Sequence, residues 1–297
     1  MYEFLKPTVN EGDCLIIGLG DSYTQGVGAY SDQTWLANKG KIPIDTTDHA
    51  LLREQFEGSW VNQLANMMPG WKAYNLGHSG TGNRAAVKEL YFHQAELDKA
   101  DRAIVVFLLS GFERFDFVQR ELAGEHTHFE SMWPNFKDPN SHRPDLWKAY
   151  AEHLYSERFI ATELLLTLFE LQNYCRLKDY ELVVASAFDM RFNKKWFNKV
   201  YDPGMFNHSK CAVGEDFVNQ FDWEQVLYPR GYRSFIELLV KLEGFDDDMA
   251  AGKWYPHYSA LEFPSRYITN CTHPTRRGHE IIAMELFKFI KEKQWVI

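Results

Sequence analysis

The chain has 297 residues, 45% of them hydrophobic, enough to bury a core as one large domain. Its 32 Lys and Arg against 41 Asp and Glu give a net charge of −9 at pH 7. No basic block is placed to track a phosphate backbone, so a nucleic-acid partner is not expected. Nowhere do about 18 uncharged apolar residues run together, and Met1-Tyr2-Glu3-Phe4-Leu5-Lys6-Pro7 has neither a basic head nor a long apolar core. The expectation is therefore no export signal, no membrane partner and a cytoplasmic protein. Four cysteines, Cys14, Cys175, Cys211 and Cys271, lie far apart without a C-x-x-C, which argues for reduced thiols and against zinc.

The first element is Cys14 to Gly26, C-L-I-I-G-L-G-D-S-Y-T-Q-G, in which Leu15, Ile16 and Ile17 read as a buried strand that breaks into glycines and presents Asp21 and Ser22. A hydroxyl just past the carboxyl end of a first strand sits where open α/β sheets bind ligands. Gly18 and Gly20 do not complete a dinucleotide fingerprint, since Tyr23 holds the place of the third glycine. Gly20-Asp21-Ser22-Tyr23-Thr24 also lacks the second glycine of the G-x-S-x-G elbow. On its own, Ser22 could be no more than a helix cap.

Ala29 to Gly58 is polar and mixed and reads as a long loop or small insertion. Ser59 caps a helix carrying Trp60, Leu64, Ala65 and Met68, which Pro69-Gly70 stops. Ala73 to Leu76 is a second strand, ended by Gly77-His78-Ser79-Gly80-Thr81-Gly82-Asn83, and Arg84 to Lys99 a helix. Ala103 to Leu109, A-I-V-V-F-L-L, is a central strand covered on both faces, followed by Ser110-Gly111-Phe112-Glu113-Arg114. Asp116 to Arg158, broken by glycine and prolines, reads as a loop-rich insertion; its His126-Thr127-His128 lacks a third ligand and reads as exposed loop. Ile160 to Leu177 is a helix with Leu164, Leu165, Leu168 and Leu171 in its stripe, and Glu181 to Phe188 the next buried strand. Asp189 to Tyr267 is the least regular stretch, with Ser234 to Leu242 its clear helix; its aromatics suit either the core of a small subdomain or the stacking of sugar rings. Thr275 to Ile290 is the last helix, entered through Asn270-Cys271-Thr272-His273-Pro274, and His279 reads as one of its packing residues beside Gly278. Strands and helices alternating in this way imply a parallel sheet between helical layers.

Three of these stretches, in this order, resemble the blocks of the SGNH (GDSL-type) serine hydrolases. Gly20-Asp21-Ser22 resembles the first block, Asn75-x-x-x-Ser79-Gly80 the second, and Asn270-x-x-His273-Pro274 the last. The resemblance implies an α/β three-layer sandwich with a five-stranded parallel sheet of flavodoxin-like order, here one domain over 1–297 with insertions at about 112–158 and 189–267. It implies Ser22 as nucleophile, His273 as base, the amides of Ser22 and Gly80 as oxyanion donors, and no cofactor or metal. Two positions depart from the family pattern. The acid that orients the base is Asn270, which can accept a proton from His273 but cannot stabilise an imidazolium by charge. The third block, G-x-N-D, is replaced by Gly111-Phe112-Glu113-Arg114, which removes a side-chain oxyanion donor; Arg114, with Glu113 turned away or paired to another cation, is the expected replacement, and Asn83 the weaker one. The implied activity is hydrolysis of an acyl ester, O-acetyl on a carbohydrate or small molecule. The rival is an SGNH fold kept for binding or assembly, as a virion component or homo-oligomer, since the atypical third block is also similar to uncharacterised bacteriophage-borne members.

Overall fold

The computed structural model describes residues 7–38, 48–118, 129–132, 148–189, 191–201, 215–244, 266–269 and 273–296. Its strands are β1 Cys14–Leu19, β2 Trp71–Asn75, β3 Arg102–Leu109, β4 Phe115–Val118, β5 Phe129–Met132 and β6 Glu181–Ser186. Its α-helices are α1 Ser22–Gln25, α2 Asp32–Ala37, α3 His49–Gly58, α4 Trp60–Asn66, α5 Asn83–Phe92, α6 Gln94–Leu97, α7 Glu157–Leu177, α8 Lys194–Val200, α9 Glu215–Asn219, α10 Phe235–Leu242 and α11 Arg276–Glu292.

A parallel sheet of order β2-β1-β3-β6 forms the middle layer, with Ile16 beside Ala73 on one side and Ile104 on the other, and Val106 beside Val183. Alternation along each strand then divides the core. Leu15, Ile17, Leu19, Val105, Phe107, Leu109 and Val184 pack on one face against Val87 and Leu90 of α5 and Leu164, Leu168 and Leu171 of α7. Ile16, Ile104, Val106, Leu108, Val183 and Ala185 pack on the other against Trp60 and Leu64 of α4, Phe235 and Leu239 of α10, and Ile282 and Leu286 of α11. Because both faces are covered, β1, β3 and β6 are near-continuous apolar runs, and that is why they are visible in the sequence.

The main sheet has four strands among the described residues, not five. Beside β6, where a fifth would pair, Val226 makes a single parallel bridge to Val184, and the Leu227 N–H donates to the Val184 carbonyl at 2.9 Å. A 3-10 turn at Trp223–Gln225 precedes this bridge and another at Pro229–Gly231 follows it, so no extended run can form. The stretch from Ala29 to Gly58, expected as loop, contains α2 and α3. Ser31 and Asp48 cap them, and α3 buries Leu52, Gln55 and Gly58, too narrow a face to show as periodicity. The helix expected over Arg84 to Lys99 breaks at His93, whose ring lies 3.4 Å from the Tyr74 hydroxyl. Of the two expected insertions, the described residues include the antiparallel pair β4-β5 in the first and α8, α9 and α10 in the second. Phe192, Trp196, Phe197, Phe221 and Trp223 of the second stack on one another and join the core beside α7, so these aromatics serve packing. Among the described residues no helix is long and apolar enough to cross a membrane, and no cluster of side chains suits a metal ion.

The crevice where the strand order reverses lies between β1 and β3. Gly20 ends β1 there with φ +145°, and a Cβ on it would stand 2.6 Å from the Leu108 carbonyl oxygen of β3. Gly20→Ala therefore meets both backbone strain and a collision with main chain. The expected loss is about 1 to 3 kcal/mol of unfolding free energy, read from urea midpoints.

Candidate active site

Ser22 stands at the first residue of α1, directly after the turn that leaves β1. Asp21 is the helix N-cap: its carboxylate accepts from the Tyr23 N–H at 3.1 Å, and Gly26 in a left-handed conformation closes the short helix. Asn75 at the end of β2 holds the other end of the helix, its amide donating to the Thr24 carbonyl at 2.8 Å and its oxygen accepting from the Gly77 N–H.

His273 reaches the same point from the far end of the chain. It belongs to a tight turn in which the Thr269 N–H donates to the His273 carbonyl at 2.8 Å, the His273 N–H donates to the Thr269 hydroxyl, and Ile268 bridges Pro274. Thr275 then caps α11. The His273 Nε2 lies 2.9 Å from the Ser22 Oγ, a direct hydrogen bond across 251 positions of chain. A nucleophile within such reach of an imidazole is the geometry needed for general-base activation. The turn packs closely on Gly28, where a Cβ would collide with the Pro274 carbonyl oxygen.

The loop carrying Gly80 is tied to β1. The His78 N–H donates to the Gly20 carbonyl at 3.1 Å, the Thr81 hydroxyl bonds the His78 carbonyl at 2.7 Å, and the Gln25 side chain accepts from the Ser79 N–H at 2.7 Å. Gly80 takes φ +84° and faces open space. Among the described residues, neither the Ser22 nor the Gly80 N–H donates to a protein acceptor.

The residues after β3 are placed differently from their expected roles. Arg114, expected as a charged oxyanion donor, is 6% exposed, and its Nη1 is engaged with the Asp21 carboxylate at 2.9 Å and the Thr81 carbonyl at 2.7 Å. Its guanidinium lies over the Phe188 ring. Asn83, the weaker substitute, has both ends of its amide on Ser110: it accepts from the Ser110 N–H at 2.7 Å and donates to the Ser110 carbonyl at 3.4 Å. The Arg114 Nη1 and both ends of the Asn83 amide are thus engaged within the protein. Glu113 pairs with Arg191 at 3.2 Å and accepts from the Tyr155 hydroxyl at 3.1 Å, and Asp189 holds the same arginine. Asn270 lies outside the described residues, as do His126 and His128.

Several residues of the site carry no motif signal. Ser110 is fully buried at the end of β3, its hydroxyl 3.0 Å from the Asp21 carboxylate and 3.1 Å from the Thr81 carbonyl. Asp116 caps α5 by accepting from the Gly82 and Ala85 N–H groups. Tyr23 sits between His273 and Phe188, with ring centroids at 5.9 and 5.5 Å. The position of Ser110 at the carboxyl end of a central strand was its only clue.

No protein-family model matches the chain, and no curated protein does. Among solved structures it is similar to a member of the lipolytic protein G-D-S-L family from Veillonella parvula, at 10% identity over 93% of this chain and 97% of that one, with a TM-score of 0.35. It is also similar to an acetyl xylan esterase, AlAXEase, at 9% identity over 92% and 98% of the two chains, with a TM-score of 0.36. A Bacillus subtilis protein aligns at 9% identity over 96% of this chain and 58% of its own, with a TM-score of 0.34. Likenesses this loose carry no inference about the site.

His279, on the buried face of α11, has no exposed surface. Burial pushes its imidazole down to about 3; the Val27 backbone opposes the shift and nearby His273 adds to it. The unfolded chain takes up this proton below the ordinary histidine value of about 6.5 while the folded chain does not, so the contribution is complete above that pH and is lost as pH falls towards 3. Urea unfolding at pH 7 and pH 4.5 should show the native protein losing about 2 kcal/mol more than His279→Leu over that interval.

Proposed function

We propose that the chain is a serine ester hydrolase. The observation that carries this reading is the 2.9 Å contact between the Ser22 Oγ and the His273 Nε2; the backbone N–H groups assigned to the oxyanion, those of Ser22 and Gly80, have no protein acceptor among the described residues. In the proposed reaction His273 takes the Ser22 hydroxyl proton as Oγ attacks the ester carbonyl. The two amides hold the oxyanion, and His273 returns the proton to the departing alcohol. Water, deprotonated by the same imidazole, then attacks the acyl-serine; the acid leaves and His273 returns the proton to the Ser22 Oγ. Asn270 is assigned the orienting of His273. The substrate we assign is an acyl ester, O-acetyl as the motif resemblance implies, on a small molecule or a glycan. No cofactor takes part in this scheme.

A fluorophosphonate probe tests the nucleophile. Label is expected on Ser22, none on Ser22→Ala, and labelling at least about 10²-fold slower on His273→Ala, because a neutral hydroxyl without its base is a poor nucleophile. Native protein that stays unlabelled beside a competent serine hydrolase would end the proposal.

The orienting amide offers a second measurement. Replacing a triad aspartate by asparagine costs about 10⁴ in turnover elsewhere, so Asn270→Asp should raise kcat on an aryl acetate, by up to ~10⁴, through charge stabilisation of the imidazolium. A rate unchanged or lowered would show that another group already holds the imidazole.

A further inference from the structure

We infer that Arg114, with Ser110, is a positioning device for the two oxyanion amides, taking the place of the side-chain donor that the altered third block lacks. The inference rests on the esterase reading above.

Both side chains follow β3, and both reach the same pair of acceptors. The Arg114 Nη1 lies 2.9 Å from the Asp21 carboxylate and 2.7 Å from the Thr81 carbonyl. The Ser110 Oγ lies 3.0 Å from the same carboxylate oxygen and 3.1 Å from the same carbonyl. Asp21 is the residue before Ser22, and Thr81 the residue after Gly80. Each donor thus spans the two loops whose N–H groups would hold the oxyanion, at the residue next to each of them. An Arg nitrogen of this kind carries two protons and can serve both acceptors, whereas the serine hydroxyl has one to share between them. The guanidinium is the stronger half of the brace.

Charge makes the same point. Asp21 has no exposed surface, and its carboxylate stands one residue from the place where negative charge develops in acyl transfer. Unpaired, it would oppose that charge in a poorly screened setting. Arg114 cancels it, while the Tyr23 N–H and the Ser110 hydroxyl occupy further lone pairs of the carboxylate. Its Nη1 is committed to these two acceptors, and the proposed action of Arg114 runs through Asp21 and Thr81.

The test compares native protein, Arg114→Gln, Asp21→Asn/Arg114→Gln and Ser110→Ala in steady-state hydrolysis of an aryl acetate. Arg114→Gln should lower kcat by ~10²-fold, the scale of a lost oxyanion interaction, with KM within about threefold. Adding Asp21→Asn should recover roughly tenfold of that loss, because the uncompensated carboxylate is gone. Ser110→Ala should lower kcat about fivefold at unchanged KM, and it decides the matter if Arg114→Gln does not fold. A kcat for folded Arg114→Gln within threefold of native, or for Ser110→Ala where Arg114→Gln is unfolded, would overturn the inference and leave the esterase reading intact. So would a double variant no faster than Arg114→Gln, which would make Arg114 a direct donor. Native protein no faster than Ser22→Ala would remove both the inference and the esterase reading.

Discussion

A carboxylate with no exposed surface is costly by several kcal/mol unless an opposite charge and hydrogen bonds compensate it. Asp21 is such a group, and it stands where β1 ends and the helix that carries Ser22 begins. Its compensation comes from Arg114 and Ser110 behind β3 and from the Tyr23 N–H of its own helix. These partners come together only if β1 and β3 are neighbours in register, so the ion pair and the sheet order depend on one another. The same side chains reach the Thr81 carbonyl and join the loop after β2 to this arrangement. One buried pair thus draws the ends of three adjacent strands to a common point at the topological switch of the sheet.

The histidine side of the site is held by other means. The turn around His273 is closed by Thr269 and by the bridge from Ile268 to Pro274, and it leans on Gly28, where there is no room for a side chain. Behind it the buried His279 fills the head of α11. Ser22 and His273 are therefore carried by two independently braced units, and the 2.9 Å contact between them reports how those units pack. A second charge cluster, Glu113 with Arg191 and Asp189, binds the segment after β6 to the segment after β3 and gives Glu113 a partner.

Much of this was legible beforehand, and the reason differs from element to element. Strands β1, β3 and β6 are covered on both faces, so each shows as a near-continuous apolar run, and the caps Ser59, Ser234 and Thr275 announce their helices by residue type. The helices α2 and α3 were not legible, because a short element burying one narrow face leaves no periodic trace. Nor was the missing fifth strand, since a single bridge at Val226 depends on what packs beside β6 and not on local propensity. The aromatics around Trp196 and Trp223 suited core and ligand alike until their burial among one another decided for core.

At the site the division follows the range of the interaction. By itself, the sequence determined which groups have the chemistry: a serine behind glycines at a strand end, a histidine before a proline and a capped helix, and glycines able to adopt positive φ. These are local properties of residue type and neighbour, and neighbours can be read in order. Tertiary structure alone decided what each charged side chain does. Arg114 had the chemistry to face an oxyanion, yet its Nη1 is bound to Asp21 because a buried carboxylate 93 positions away in sequence demands a cation more strongly than open solvent does. Compensation of buried charge depends on which groups share a low-dielectric space, and that is settled only once the chain has folded.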